Sequence, residues 1–346
     1  MRKNRNRAGK ERLGLMKLAM LILLSIVIVA GIIYFLDITP EQLDTAAEQL
    51  VGTPRPTSLN QTEETSPTNT PISSSEEPDE DAILPESGKL SVVFMDVGNA
   101  DCIFVRSPSG KTMLIDAGES DDYEKIDSYL KRAGVTRIDV LVATHPHNDH
   151  IGGMRQIVEN YEIGAIYMPR VTHNTSTYEN LLEAISDKGM KIKTAKGGDN
   201  SAIDFDSSVS VRILAPLGDD YSDLNNYSAV LRLDYNNSSF LLAGDAGSVS
   251  EKEMLKEYPD LLRADVLKVG HHGSSDSTTE DFLAAVDPTY AVISCDSESD
   301  GSHPSAEVIE RLKSAGVEYY RTDLFGTIVI VTDGKTFDIR TEYYGN

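Results

Sequence analysis

The sequence has no tryptophan and only two cysteines, Cys102 and Cys295. Each cysteine sits in an apolar, strand-like run (DCIFV and AVISC), so both read as buried free thiols, with a disulfide between them left open. No CxxC occurs, so the cysteines do not suggest a zinc knuckle. No internal repeat recurs at a fixed spacing. Positive charge is scarce: 32 lysines and arginines stand against 55 acids, for a net charge of −23. Such a chain is a poor general magnet for nucleic acid, because phosphate binding rests on Lys and Arg. That objection weakens where a site brings its own metal charge.

Long apolar runs are equally rare. The one that stands out is 18–36, LAMLILLSIVIVAGIIYFL, which carries no charge. As a helix rising about 1.5 Å per residue it would nearly cross a hydrocarbon core of about 30 Å. Residues 1–17 before it hold seven basic residues and one acid, which predicts a cytoplasmic N-terminus and everything after Leu36 outside. A cleaved signal peptide is the rival; its apolar region would be shorter and closed by a small-x-small site. The expectation is therefore a single-pass membrane protein with an uncleaved anchor and an extracellular domain. Residues 37–87 hold twelve acids against Arg55, and 53–87 is rich in Ser, Thr, Pro and Glu without hydrophobic period. This reads as a disordered acidic linker.

From 88 to 346 the pattern is that of one α+β domain. Strand-like runs come first in a meander (KLSVVFMDV, CIFVR, KTMLIDA), then alternate with amphipathic stretches such as YEKIDSYLKRAG and STYENLLEAISDKG.

Histidine is scarce too, with seven in all, yet three fall in THPHNDHIGG at 144–153. Imidazole and carboxylate together suit Zn, Mn or Fe. In HxHxDH, His145 and His147 can point one way while Asp149 and His150 turn toward a second point. That spacing can feed two metals. Other polar residues also fall at strand ends: Asp245 after FLLAG, His271 and His272 after DVLKVG, Asp96 and Asp116 after two early strands. Asp245 reads as a metal ligand or as a cap for the helix SVSEKEMLKE. Of the adjacent His271 and His272, at most one is expected to face the same metal. His303, in GSHPSAEVIERL, reads as catalytic or phosphate-binding, or as part of a loop entering a helix. His173 has no comparable partners in sequence.

These residues together resemble the metallo-β-lactamase fold, over roughly 88–346. The stretches FMDVGNADCIFV, LIDAG, ATHPHNDHIGGM, LNNYSAVLRL, FLLAGDA, LKVGHHGSS and HPSAEVIERL are similar to the metallo-hydrolase domain of ComEC-type DNA-uptake proteins. The resemblance implies an αββα sandwich with a dinuclear metal site, here Zn or Mn, along one edge of its two sheets. One metal would use His145 and His147. The other would use Asp149, His150 and His271, with Asp245 bridging. Many family members have a further histidine where this sequence reads LNNYS, so Asn225 or Asn226 is expected to fill that place. Asp96 and Asp116 would support the ligand loop from outside. Asp149 or Asp245 would orient the attacking water, while Lys268, His272 or His303 would stabilise developing charge, with Ser274 near the substrate.

A phosphodiester substrate, DNA, is what the resemblance implies, with a possible tie to DNA-uptake machinery. Only one candidate span and no channel accompany the domain, so import of DNA by this chain itself is not implied. Three alternatives stay open. They are hydrolysis at the cell surface of a non-nucleic phosphodiester such as a teichoic-acid choline ester or of an amide such as a β-lactam, a non-enzymatic surface binding protein that kept the fold, and a structural, non-enzymatic part in a DNA-uptake complex.

Overall fold

A computed structural model of the chain describes residues 83–198, 201–298 and 303–343. The expected basic tail (1–17), apolar segment (18–36) and most of the linker lie outside the described residues. Packing begins before the expected boundary at 88: Ile83 is buried, and the Tyr129 hydroxyl donates to its carbonyl at 2.7 Å.

Among the described residues, fifteen strands form two sheets. The first runs β15 (Phe337–Thr341), β14 (Ile328–Thr332), β1 (Leu90–Phe94), β2 (Ile103–Arg106), β3 (Thr112–Ile115), β4 (Arg137–Val142), β5 (Glu162–Met168), β6 (Ile192–Thr194). The second runs β13 (Glu318–Arg321), β12 (Tyr290–Ile293), β11 (Val266–Lys268), β10 (Ser238–Leu242), β9 (Val230–Tyr235), β8 (Ser210–Ala215), β7 (Ala202–Ile203). Both sheets are mixed. In the first, β15 to β3 pair antiparallel and β3 to β6 parallel; in the second, β7 to β10 pair antiparallel and β10 to β13 parallel.

The side-chain alternation of the strands builds the layers. Leu90, Val92 and Phe94 of β1 meet Leu231, Leu233, Phe240 and Val266 of the other sheet in a shared inner core. Val93 points the opposite way, into a second core. There the first sheet is covered by α1 (Tyr123–Arg132), α3 (Met154–Asn160) and α4 (Ser176–Asp187), while the short α2 (Asn148–Ile151) precedes α3. A third core lies under α5 (Ser248–Glu257), α6 (Glu280–Val286) and α7 (Ala306–Ser314) on the second sheet. The four layers are those of an αββα sandwich. The short α8 (Thr322–Phe325) links β13 to β14. Cys102 and Cys295 are both free and buried, as their apolar settings predict.

The expected single-pass membrane location is corrected. Among the described residues no helix is long and apolar enough to cross a membrane. The 18–36 stretch on which that expectation rested lies outside them.

Candidate metal centre

The ligand loop leaves β4 and is tied to the turn after β3. Asp116 sits there in the left-handed region, with φ 57°. Its buried carboxylate accepts from the Thr144 backbone N–H at 2.8 Å and from the Thr144 hydroxyl at 2.6 Å, and lies 2.8 Å from His150 Nδ1. The glycine pair has a packing role here. A Cβ at Gly152 would lie 2.4 Å from the Ser120 backbone nitrogen, and one at Gly153 2.5 Å from the Ala117 carbonyl. Bare backbone lets the loop close onto the 117–120 turn and aim His145, His147, Asp149 and His150 inward.

The second sheet brings its residues one strand end at a time. Asp245 follows β10, its backbone N–H held by the Ser228 hydroxyl at 3.1 Å. His271 and His272 follow β11 with φ of 49° and 51°, two successive left-handed non-glycine residues. That double turn lets both imidazoles reach Asp245: Oδ2 lies 3.9 Å from His271 Nε2 and 3.6 Å from His272 Nε2. The same oxygen is 3.7 Å from His145 Nε2 and 3.1 Å from His150 Nε2. One carboxylate oxygen therefore faces four imidazoles.

All seven histidines of the chain join in one run of neighbouring rings. Centroids are 4.7 Å apart for His145–His147, 4.1 Å for His145–His150 and 5.4 Å for His150–His272. The run continues through His271 at 6.2 Å to His303 at 5.5 Å, and from His147 to His173 at 5.8 Å. His173, isolated in sequence, thus stands beside the centre and contacts the Pro146 carbonyl at 3.2 Å.

Several expected roles change. His272, rather than His271, joins Asp149, His150 and Asp245 in a group whose ligand atoms all lie within 4.8 Å of one another. His271 leans toward Asn225 (3.3 Å) and Asp276 (3.3 Å). Lys268 is completely buried and ion-paired to Asp101 at 3.0 Å, so it is sealed from any substrate. Asn226 turns away: its side-chain oxygen accepts from Ser250 N–H at 3.1 Å at the start of α5, so of the two asparagines Asn225 faces the site. Asp96 leaves the same sheet edge as Asp116, but its carboxylate pairs with Lys125 at 3.2 Å and accepts from the Gly98 N–H at 3.4 Å rather than bonding the ligand loop. Ser274 closes the His271 turn, its N–H donating to the His271 carbonyl at 2.7 Å.

Asp101 is the residue that sequence reasoning missed. Its only signal was an acid placed just before a buried strand, in NADCIFV.

Burial drives the His145 pKa well below the usual imidazole value and lowers that of His147. Both rings then stay neutral with lone pairs available. Burial opposes charge on His150 too, but Asp245 and Asp116 outweigh it and hold its pKa well up. Burial works against charge on Asp149 and Asp245, yet neighbouring imidazoles keep both ionised: His272 and His150 for Asp149, His150, His272 and His145 for Asp245. The centre thus sets the neutral imidazoles of His145 and His147 beside the ionised carboxylates of Asp149 and Asp245, donors that suit divalent ions of the Zn and Mn kind.

The residues fit such ions on a second observation. Asp245 Oδ1 and His272 Nε2 are buried with no hydrogen-bond partner among the described residues. Unpaired buried polar atoms are costly. His145 Nε2 and His147 Nδ1 lie side by side at 2.9 Å, hydrogen-bond distance, at the centre.

The sequence profile of the metallo-beta-lactamase superfamily matches residues 95–297. The chain belongs to the metallo-beta-lactamase superfamily. It is 30% identical over 70% of its length to ComE operon protein 3 of Bacillus subtilis, and 30% identical over 71% to competence protein ComA of Neisseria gonorrhoeae. It is 29% identical over 59% to recombination protein 2 of Haemophilus influenzae. The matched regions cover 33%, 32% and 24% of those proteins, so the chain spans about a third or less of each relative's length.

Proposed function

We propose that this chain is a metal-dependent phosphodiesterase that cuts nucleic acid strands, DNA foremost, with two divalent ions, Zn or Mn. The observation that carries the reading is Asp245 Oδ2 facing four imidazoles within 4 Å, between two groups of donors. The names of two relatives, a competence protein and a recombination protein, support DNA as the substrate and DNA-uptake machinery as the setting. An acidic chain can hold a polyanion at such a centre because the ions bring the positive charge.

One ion would be held by His145, His147 and Asp245, with Asn225 and His271 beside it. The other would be held by Asp149, His150, His272 and Asp245. When bound, the pair would polarise a phosphoryl oxygen and activate water as the nucleophile. The protein's part is to fix donors and protons. His150 gives its Nδ1–H to Asp116 and His272 gives its Nδ1–H to the Ser294 carbonyl (3.0 Å), so each presents Nε2 inward. His145 Nδ1 lies near the Thr144 and Ser228 hydroxyls at 3.2 and 3.3 Å, which likewise frees its Nε2. Asp149, ionised and partly open to solvent, orients the attacking water. His303, at the rim beside His271, meets charge developing on the substrate.

The test is cleavage of labelled single-stranded DNA by the full chain with Mn or Zn, with a chelator arm and a His147→Ala arm. Cutting that stops in both arms supports the reading. Two ions bound without cutting of DNA would sink the nucleic acid substrate and move the search to other phosphodiesters and amides.

A further inference from the structure

Two ionised groups beside the centre take no part in the reading above. Asp101 and Lys268 are both buried, at 1% and 0% exposure, and their side chains pair at 3.0 Å. They come from different sheets: Asp101 precedes β2 of the first, and Lys268 ends β11 of the second, three residues before His271. The Lys268 ammonium also donates to the Val269 carbonyl at 2.8 Å.

Asp101 touches the centre from two directions. Its backbone N–H donates to the Asp149 carbonyl at 3.1 Å, and its own carbonyl accepts from Gly118 N–H at 2.9 Å, so it is fixed to the ligand loop. Its Oδ1, buried and without a hydrogen bond, lies 3.7 Å from His272 Nδ1. Ligand atoms of Asp101, Asp116 and His150 fall within 4.8 Å of one another, so an untethered Asp101 could compete for a cation or for a histidine proton. Burying two charges is expensive, and a hydrophobic pair would fill the volume without that cost. The ammonium holds Oδ2 at 3.0 Å, fixing the carboxylate where it stands.

We propose that Asp101 and Lys268 are a positioning pair for the ion held by Asp149, His150 and His272. Lys268 pins the Asp101 carboxylate. Asp101 in turn supports the Asp149 backbone and faces the Nδ1 edge of His272, so that His272 keeps its bond to Ser294 and presents Nε2. This inference rests on the two-ion reading.

The experiment is metal affinity of the full chain, by competition with a chromophoric chelator, and the visible spectrum of the cobalt-loaded protein. Asp101→Asn preserves shape and can still accept from Lys268; Lys268→Met removes the tether. In each, one of the two ions should bind about 10–100-fold more weakly, the cost usual for supports behind metal ligands. The cobalt spectrum should change for that ion, and the other ion should keep its affinity. Should Lys268→Met not fold, Asp101→Asn alone decides. Unchanged affinities and spectrum in folded Asp101→Asn would overturn the proposal. Equal weakening of both ions, in step with a lower unfolding midpoint, would also overturn it, since general loosening gives that pattern. A wild-type chain that binds no divalent ion would overturn the two-ion reading itself and this inference with it.

Discussion

The two halves of the metal centre are built on opposite plans. On the first sheet, four donors lie within six residues, and a single loop carries them all. On the second sheet, Asp245, His272 and His303 come from three separate strand ends, and no short stretch holds them together. The first half depends on local backbone: a left-handed Asp116 and two glycines with no room for a side chain. The second depends on how parallel strands β10, β11 and β12 align their ends. A compact motif tolerates little inside itself. A distributed one fails through whichever strand end shifts.

Asp245 joins the halves, so Asp245→Ala should have the largest effect. Both ions should be lost and hydrolysis should fall to background, measured as metal content and turnover; retention of one ion would mean that the halves are independent. Next comes the contrast within the second half. His272→Ala should lose one ion, while His271→Ala should keep both and weaken activity less; the reverse order would restore the expectation drawn from sequence. Asp116→Asn probes the first half from behind and should weaken one ion by about 10–100-fold without unfolding the chain. The smallest effect belongs to Asn226→Ala. It removes one hydrogen bond at the start of α5, worth about 1 kcal/mol in urea unfolding, with metal content unchanged.

The same contrast explains what was legible in the sequence. The run of strands and amphipathic helices and the ligand loop could be read because their signals are local, apolar strand-like runs and HxHxDH in a chain with few histidines; the αββα sandwich came only with the family resemblance those motifs carry. The choice of His272 over His271 could not, because it depends on two left-handed residues that nothing in LKVGHHGSS announces. Lys268 looked like a free cation near the substrate; only tertiary packing reveals Asp101 beside it. His173 and His147 lie far apart along the chain yet meet as rings, a contact that spacing does not encode. Asp96 and Asp116 looked alike as acids ending early strands, and differ because β3 lies next to β4, whose end carries the ligand loop and His150, while the Asp96 carboxylate pairs with Lys125.

The most direct test is to count divalent metal per chain in the full-length protein by elemental mass spectrometry, alongside His147→Ala and His272→Ala. About two ions per chain are expected, falling to about one in each variant and to none in the double variant. An unchanged count in both variants, or no metal retained by the wild type, would contradict a dinuclear centre shared between the two sheets.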